Sequence, residues 1–177
     1  MSLALALLTV SDSRSLDDDP SGDALQQRLQ TAGHRLVARE LLPDDRYRVR
    51  ATVSRWIADP EVQVVITTGG TGLTGRDGTP EAVEPLLDKL IDGFGELFRV
   101  ISFKTVGTSG LQSRCLAGVA NGTVVFVLPG SLDAVSTAWD QLIAAQLDPA
   151  TRPCNLVQLL PRLGEAIDRP SPDKGSS

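Results

Sequence analysis

A chain of 177 residues with 41% hydrophobic residues can bury one good core, so we predict a single domain. Its net charge of −5 argues against nucleic acid as the main partner, because a phosphate backbone requires a basic face. Two cysteines and one histidine argue against a zinc site. The apolar start, Met1–Val10, lacks a basic segment and is too short to cross a bilayer, so we predict a first strand in a cytoplasmic protein.

The chain alternates predicted strands and helices. Aliphatic and β-branched runs without polar alternation predict buried strands of a parallel sheet, whereas Arg35–Leu42 is predicted as a strand from its alternation. Polar caps, periodic apolar residues and terminal glycines predict helices. In chain order the predicted elements are a strand at Leu3–Val10, a helix at Gly22–Ala32 capped by Ser21, a strand at Arg35–Leu42, a helix after Pro43–Asp45, a strand at Val62–Ile66, helices at Pro80–Leu90, Glu96–Ser102 and Leu111–Ala120, a strand at Thr123–Leu128 and a helix at Leu132–Ala145. Gly93–Gly95 is predicted to interrupt the helical region, and Asn121-Gly122 to form a turn.

This alternation predicts an α/β fold, a three-layer α/β/α sandwich around a mostly parallel central sheet. We assign residues 1–167 to one domain and predict from composition that residues 168–177 form a disordered tail. In open parallel sheets, ligands bind beyond the carboxyl ends of the strands. Four loops are expected at that rim, namely Ser11–Pro20, Pro43–Asp45, Gly69–Gly78 and Pro129–Ser131.

The loop after the Val62–Ile66 strand is rich in glycine, which lets backbone amides approach an anion without a Cβ atom in the way. Thr79 is a suitable N-cap and Pro80 a suitable first residue of the next helix. A strand, a glycine loop and a helix N-terminus together predict a phosphate site. The alternative is a βα connection that is merely glycine-rich, but such connections need only about 2–6 residues.

Two well-known phosphate motifs overlap this loop, and neither fits it. Gly70–Gly75 has the spacing of the dinucleotide fingerprint, but three further residues precede the helix and the loop does not follow the first strand. The same glycines have P-loop spacing, but Arg76-Asp77 replace the Lys-Ser/Thr pair. A nicotinamide-binding protein is therefore kept only as a third hypothesis.

Acidic residues beside the glycine loop predict a metal-assisted site. Asp77 would oppose an anion unless it binds a cation, and Mg²⁺ bound by one or two carboxylates and substrate phosphates is the usual solution. Asp44 can complete that site from a second rim loop. The alternative is that Asp44 or Asp45 caps a helix and that Asp77 is a turn residue. Arg76 can stabilise charge on a transferring phosphoryl group or be merely solvated, and Asp12 is the loop acid placed to take part.

Motifs extend over most of the chain. They are T-V-S-D at Thr9–Asp12, D-P-S-G at Asp19–Gly22, T-G-G-T-G at Thr68–Gly72 with Arg76-Asp77, T-P-E at Thr79–Glu81, G-F-G-E-L-F-R at Gly93–Arg99, L-Q-S-R at Leu111–Arg114, L-P-G-S at Leu128–Ser131 and T-R-P-C-N at Thr151–Asn155. Together they closely resemble the MoaB/MogA family of molybdenum cofactor biosynthesis proteins. L-Q-S-R and T-R-P-C-N resemble the MoaB branch.

The resemblance implies a molybdopterin adenylyltransferase that uses ATP and Mg²⁺. The terminal phosphate of molybdopterin would attack the α-phosphorus of ATP, which gives adenylyl-molybdopterin and pyrophosphate. The implied sites are nucleotide and phosphate binding by Gly69, Gly70, Thr71, Gly72, Arg76 and Asp12, catalysis and metal binding by Asp77 and Asp44, and molybdopterin binding by Ser109, Arg114, Gly130 and Ser131.

The resemblance also implies partners. Molybdopterin and ATP are the expected ligands, a trimer or hexamer is the expected assembly, and a molybdate-insertion enzyme is the expected recipient of the product. The alternative function is a non-catalytic molybdopterin-binding or carrier protein of the same fold.

Overall fold

The computed structural model describes residues 1–163, so the tail predicted at 168–177 and the last residues assigned to the domain lie outside the described residues. Within residues 1–163, one sheet of six strands has the order β2-β1-β3-β6-β5-β4. The first four of these strands are parallel, and β5 and β4 are antiparallel at one edge. The strands are β1 (Ala4–Val10), β2 (Arg35–Leu42), β3 (Val64–Thr68), β4 (Lys89–Leu90), β5 (Leu116–Ala120) and β6 (Thr123–Leu128).

Helices cover both faces of the sheet, which confirms the predicted three-layer α/β/α sandwich. On one face lie α1 (Pro20–Thr31), α4 (Asp92–Val106) and α5 (Leu132–Ala138), which continues through a π-helical turn at Trp139–Ile143 into α6 (Ala144–Gln146). Leucines of the short α7 (Leu160–Leu163) pack against the same core. On the other face lie α2 (Arg46–Ala58) and α3 (Thr79–Val83). No helix in the described part of the chain is both long and apolar enough to cross a membrane.

Strand β1 shows why an uninterrupted aliphatic run predicts a central strand. All seven of its residues are buried. Leu5 and Leu7 pack into the core beneath α1 and α5, whereas Ala6 and Leu8 pack into the core beneath α2. Because successive side chains of a strand point to opposite faces, such a run supplies both cores at once.

The predicted helix at Leu111–Ala120 is wrong. Gly107–Gln112 forms a 3-10 helix, and Leu116–Ala120 pairs with β6 as an antiparallel strand. The predicted Asn121-Gly122 turn is confirmed, with φ of +47° and +82°. Two central residues with positive φ are typical of the tight turn that joins two antiparallel strands. The segment before this turn, Leu116–Ala120, is therefore placed to pair with β6 as a strand.

The region between β3 and β5 also differs from the prediction. The helix predicted at Pro80–Leu90 is limited to α3, followed by a 3-10 turn at Glu84–Leu86 and by β4. Gly93–Gly95 lies inside α4 rather than interrupting it. A Cβ atom on Gly95 would lie 2.9 Å from the Cys115 carbonyl oxygen, so this glycine serves close packing of the helix on the sheet.

Two predicted helix caps are shifted along the chain. Asp19 caps α1, because its carboxylate accepts a hydrogen bond from the backbone N–H of Gly22 at 3.0 Å. The predicted cap, Ser21, lies within the first turn of α1 and donates its hydroxyl to the Gly130 carbonyl at 2.8 Å. Gly78, not Thr79, precedes the first residue of α3.

Candidate functional site

A cavity of about 330 Å³ opens at the carboxyl ends of β1 and β3. Strand β1 lies between β2 and β3 in the sheet. The connection that follows β1 leads to β2 on one side, whereas the connection that follows β3 leads away on the other side, so the two connections diverge between β1 and β3. Such a divergence leaves the crevice in which open α/β sheets bind ligands. The predicted site residues that line this glycine-loop cavity are Gly69, Gly70, Thr71, Gly72, Asp77 and Gly130.

The first two glycines of the loop are required by its backbone. Gly69 has φ of +99°, and a Cβ atom there would lie 2.1 Å from the carbonyl oxygen of Val10. Gly70 has φ of +64°, and its Cβ atom would lie 2.3 Å from Thr79 Oγ1. A side chain at either position would therefore displace the loop from β1 or from α3.

The loop amides do not all remain available to a ligand. The Gly69 N–H donates to the Leu128 carbonyl at 3.0 Å, so this residue shapes the cavity without offering its amide. Within residues 1–163, the amides of Gly70 and Thr71 have no hydrogen-bond acceptor. The amide donors predicted for a phosphate are therefore concentrated in these two residues.

Asp77 is held at the end of the glycine loop as an ionised carboxylate. Its Oδ2 accepts hydrogen bonds from the Thr74 hydroxyl at 2.6 Å and from the Thr74 N–H at 2.9 Å. The hydrogen bond from the Thr74 hydroxyl contributes most to holding the pKa of Asp77 below its usual value, and the bond from the Thr74 N–H contributes further. Gly72 leaves room for the carboxylate, because a Cβ atom there would lie 2.6 Å from Asp77 Oδ2.

Asp12 and Arg76 form a bidentate ion pair on the outer rim of the site. Arg76 Nε and Nη2 donate to the two carboxylate oxygens of Asp12 at 3.0 and 2.7 Å. The hydrogen bond from Arg76 is the main cause that lowers the pKa of Asp12. Asp12 also accepts from the Asp44 N–H at 3.0 Å, so the pair ties two rim loops to the glycine loop. Neither Asp12 nor Arg76 lines the cavity, and phosphate binding by them stays a prediction.

Asp44 lies between the rim pair and the glycine loop and, like Asp12 and Arg76, does not line the cavity. Its Oδ1 accepts a hydrogen bond from the Gly78 N–H at 3.2 Å. Burial raises the pKa of Asp44, and the nearby carboxylates of Asp77 and Asp12 raise it further. Crowded carboxylates of this kind fit a bound divalent cation. No three acidic, histidine or cysteine residues of the described chain are arranged to bind one alone, so further ligands would have to come from a substrate.

Arg114 clamps the glycine loop to α3. Its Nε donates to the Gly72 carbonyl at 2.9 Å, and its Nη2 donates to the Asp77 carbonyl at 3.0 Å. Its Nη1 forms an ion pair with Glu81. Because the guanidinium is engaged in this way, its observed role is to shape the loop, and a direct pterin contact stays a prediction.

A second cavity, of about 350 Å³, adjoins the first and shares Thr71 and Gly72 with it. Ser109 and Ser131, two of the predicted pterin contacts, line this hydroxyl-lined cavity. Phe98 contributes an aromatic side chain to its wall. The shared residues would let one ligand reach from a phosphate site into a site for a polar ring system.

Arg14 lines the glycine-loop cavity, and we did not single it out from the sequence. It lies two residues beyond the T-V-S-D motif, which ends at Asp12. Its position, just past a predicted strand and next to a matched motif, is the sequence signal that could have identified it as a site residue.

The comparisons with known proteins give the family of this chain. Residues 6–149 match the family described as "Probable molybdopterin binding domain". The chain is 54% identical over 151 residues to "Molybdenum cofactor biosynthesis protein B" of Escherichia coli K12, covering 85% of this chain and 89% of that one. The chain belongs to the MoaB/MogA family. It is a molybdenum cofactor biosynthesis protein.

Solved structures extend the likeness of this MoaB/MogA chain to three dimensions. A "Molybdenum cofactor biosynthesis protein B" crystal structure matches with a TM-score of 0.83 at 38% identity, covering 92% of this chain and 96% of that one. The "tungsten cofactor synthesizing protein MoaB" of Pyrococcus furiosus matches with a TM-score of 0.76 at 32% identity, covering 93% and 98%. The predicted family and fold are confirmed.

Proposed function

We propose that this MoaB-family protein transfers an adenylyl group from ATP to the terminal phosphate of molybdopterin. The observation that carries the proposal is that the free amides of Gly70 and Thr71 line one cavity together with the Asp77 carboxylate at the divergence of β1 and β3. The Asp44 carboxylate lies next to Gly70 at the edge of that cavity, with Oδ2 2.7 Å from the ideal Cβ position of Gly70. Amides suit the phosphates of a nucleotide, and the hydroxyl-lined cavity next to them suits a polar pterin.

In the proposed step, a terminal phosphate oxygen of molybdopterin attacks the α-phosphorus of ATP. The new oxygen–phosphorus bond forms while the bond from the α-phosphorus to the α,β-bridging oxygen breaks, and pyrophosphate leaves. No protein nucleophile is needed, because catalysis of such transfers rests on positioning and on neutralising charge. The amides of Gly70 and Thr71 would orient the nucleotide phosphates.

Asp44 and Asp77 would hold Mg²⁺ together with the phosphates of ATP. The pKa of Asp44 is raised chiefly by burial and further by the carboxylates of Asp77 and Asp12, which supports this assignment because a cation stabilises a partly buried carboxylate next to other carboxylates. When bound, the metal would neutralise charge on the phosphates. Asp77, ionised through its bonds from Thr74, would be the principal ligand.

The test is pyrophosphate release from ATP, Mg²⁺ and purified molybdopterin. Asp77→Asn should abolish release while molybdopterin still binds. Asp45→Asn is the matched control, because Asp45 is an exposed neighbour that caps α2 and asparagine caps equally well. A wild-type protein that binds molybdopterin tightly and releases no pyrophosphate would instead be a non-catalytic carrier.

We also propose that the protein works in the cytoplasm as a homo-oligomer, a trimer or hexamer, and passes its product to a molybdate-insertion enzyme. Exposed apolar side chains at helical spacing along α4, namely Leu97, Val100, Phe103 and Val106, support self-association. Light scattering coupled to gel filtration should give an assembly that Phe103→Glu dissociates. A wild-type monomer at micromolar concentration would contradict it.

A further inference from the structure

We propose that Arg14 is the cation that binds a phosphate group in the glycine-loop cavity. This inference rests on the proposed function, since it assigns a charged partner to the phosphate of that same site. The group would belong either to the nucleotide or to the terminal phosphate of the pterin, because both carry the same chemistry.

The loop after β1 is folded so that Arg14 reaches the cavity. The Ser11 N–H donates to the Leu42 carbonyl at 2.9 Å, which fixes the start of the loop against β2. The Ser11 hydroxyl then accepts from the N–H groups of Ser13 and Arg14 at 3.3 and 3.2 Å. This short side-chain turn reverses the chain, and Ser11, Ser13 and Arg14 all line the cavity.

One end of the Arg14 guanidinium is anchored by neutral acceptors. Its Nη1 donates to the Ser21 hydroxyl oxygen at 3.1 Å and to the Gly130 carbonyl at 3.4 Å. The nearest carboxylate oxygen belongs to Asp19, at 3.9 Å from Nη1. Within the described residues, Nε and Nη2 of Arg14 have no hydrogen-bond acceptor. The side chain is therefore oriented while most of its donors stay available.

Asp19 forms only a long ion pair with Arg14, because its carboxylate oxygens already accept shorter hydrogen bonds from other groups. It accepts hydrogen bonds from the Thr9 hydroxyl at 2.6 Å, from the Gly22 N–H at 3.0 Å and from Arg39 Nη2 at 3.0 Å. Burial favours a raised pKa for Asp19, but these three bonds outweigh it and the pKa is lowered. The fully buried Asp19 is thus paired chiefly with Arg39.

The charge pattern of the site leaves Arg14 as the available cation. Among the described residues that line the glycine-loop cavity, it is the sole positively charged one. Arg76 is paired with Asp12, and Arg114 is held by Glu81 and loop carbonyls. A phosphate beside the ionised Asp77 needs a positive partner, and the planar guanidinium fork matches phosphate oxygens.

The test compares wild type, Arg14→Gln and Arg14→Lys in calorimetric binding of inorganic pyrophosphate, MgATP, molybdopterin and adenosine. The control is Arg55→Gln, which removes one exposed arginine that is paired with Glu40 outside both cavities. Losing a charged hydrogen bond should weaken pyrophosphate binding of Arg14→Gln by about 10- to 100-fold. Arg14→Lys should fall between it and wild type, because lysine keeps the charge without the fork.

The four binding probes distinguish a phosphate of the nucleotide from the terminal phosphate of the pterin. A loss confined to MgATP assigns Arg14 to the nucleotide, and a loss confined to molybdopterin assigns it to the pterin; both support the proposal. Unchanged binding of all four probes by Arg14→Gln, or an equal loss for uncharged adenosine, would overturn it. If wild type releases pyrophosphate but Arg14→Gln binds normally, only the role of Arg14 fails. If wild type neither turns over nor binds any phosphate probe, both proposals fail.

Discussion

Replacing Gly69 with alanine tests the geometry on which the phosphate site depends. The residue has φ of +99°, and the new Cβ atom would lie 2.1 Å from the Val10 carbonyl oxygen. A left-handed backbone costs a residue with a Cβ atom about 1–2 kcal/mol. Overpacking against a fixed backbone atom adds about 1–3 kcal/mol. We therefore expect Gly69→Ala to lower the free energy of unfolding by about 2–5 kcal/mol.

Two other glycines separate these contributions. Gly33 also has positive φ, +82°, but no atom lies within 4 Å of its ideal Cβ position. Gly75 belongs to the same loop as Gly69, and it has neither a positive φ nor an atom within 4 Å. Gly33→Ala should therefore show only the backbone cost, and Gly75→Ala should be close to neutral.

The assay is thermal unfolding followed by circular dichroism, with pyrophosphate binding measured on the same samples. One kcal/mol shifts Tm by about 2–4 °C in a chain of this size, so Gly69→Ala should lose about 4–20 °C. Its pyrophosphate affinity should also fall, because the clash moves the neighbouring amides of Gly70 and Thr71. If Gly69→Ala unfolded like Gly33→Ala and bound pyrophosphate normally, the close approach of the loop to β1 would be refuted.

Three further substitutions probe the carboxylates and their supports. Gly72→Ala should slow pyrophosphate release with little change in Tm, because its Cβ atom would meet the Asp77 carboxylate at 2.6 Å; an unaltered rate would contradict that contact. Asp44→Asn should abolish transfer yet stabilise the protein near pH 7. The raised pKa of Asp44 means that its ionised carboxylate is disfavoured in the folded state, so the free energy of unfolding of the wild type falls as pH rises above the ordinary value of 3.8. The extra stability of Asp44→Asn over wild type, measured by urea unfolding, should therefore shrink as pH is lowered. Arg114→Gln should lower stability most at neutral pH. Burial favours a raised pKa for Glu81, but the hydrogen bond from Arg114 helps to lower the pKa below its ordinary value of 4.5. The stabilisation that this pair gives is therefore lost as pH falls through the folded-state pKa of Glu81. A loss of stability in Arg114→Gln that did not depend on pH would argue against the Arg114–Glu81 ion pair.

The three central parallel strands, β1, β3 and β6, could be predicted from the sequence because they are buried on both faces, whereas the partly exposed edge strand β2 was predictable from its alternation. Thr123–Leu128 is predicted with the bounds that β6 has, and all its residues are buried. Leu116–Ala120 was missed because it is short, holds a glycine and two alanines, and becomes a strand only by pairing with β6. Its local composition carries no strand signal of its own, so the pairing decides its conformation.

The candidate site was predictable in its loops and less so in its contacts. The glycine loop, Asp44 and Asp77 follow from motif spacing and from the rule that ligands bind at the carboxyl ends of strands. The Asp12–Arg76 pair joins residues 64 positions apart, and no local pattern reports it. The same holds for Arg114, whose partners on the glycine loop lie 42 and 37 positions away. Sequence reasoning therefore identified the loops but not which cations are already engaged.

A crystal structure of the protein with MgATP would test the proposed nucleotide site. The proposed adenylyltransferase site requires the phosphates to lie against the amides of Gly70 and Thr71, with a metal ion bound by Asp44 and Asp77. A triphosphate bound elsewhere on the protein, with the glycine loop free of ligand, would contradict it.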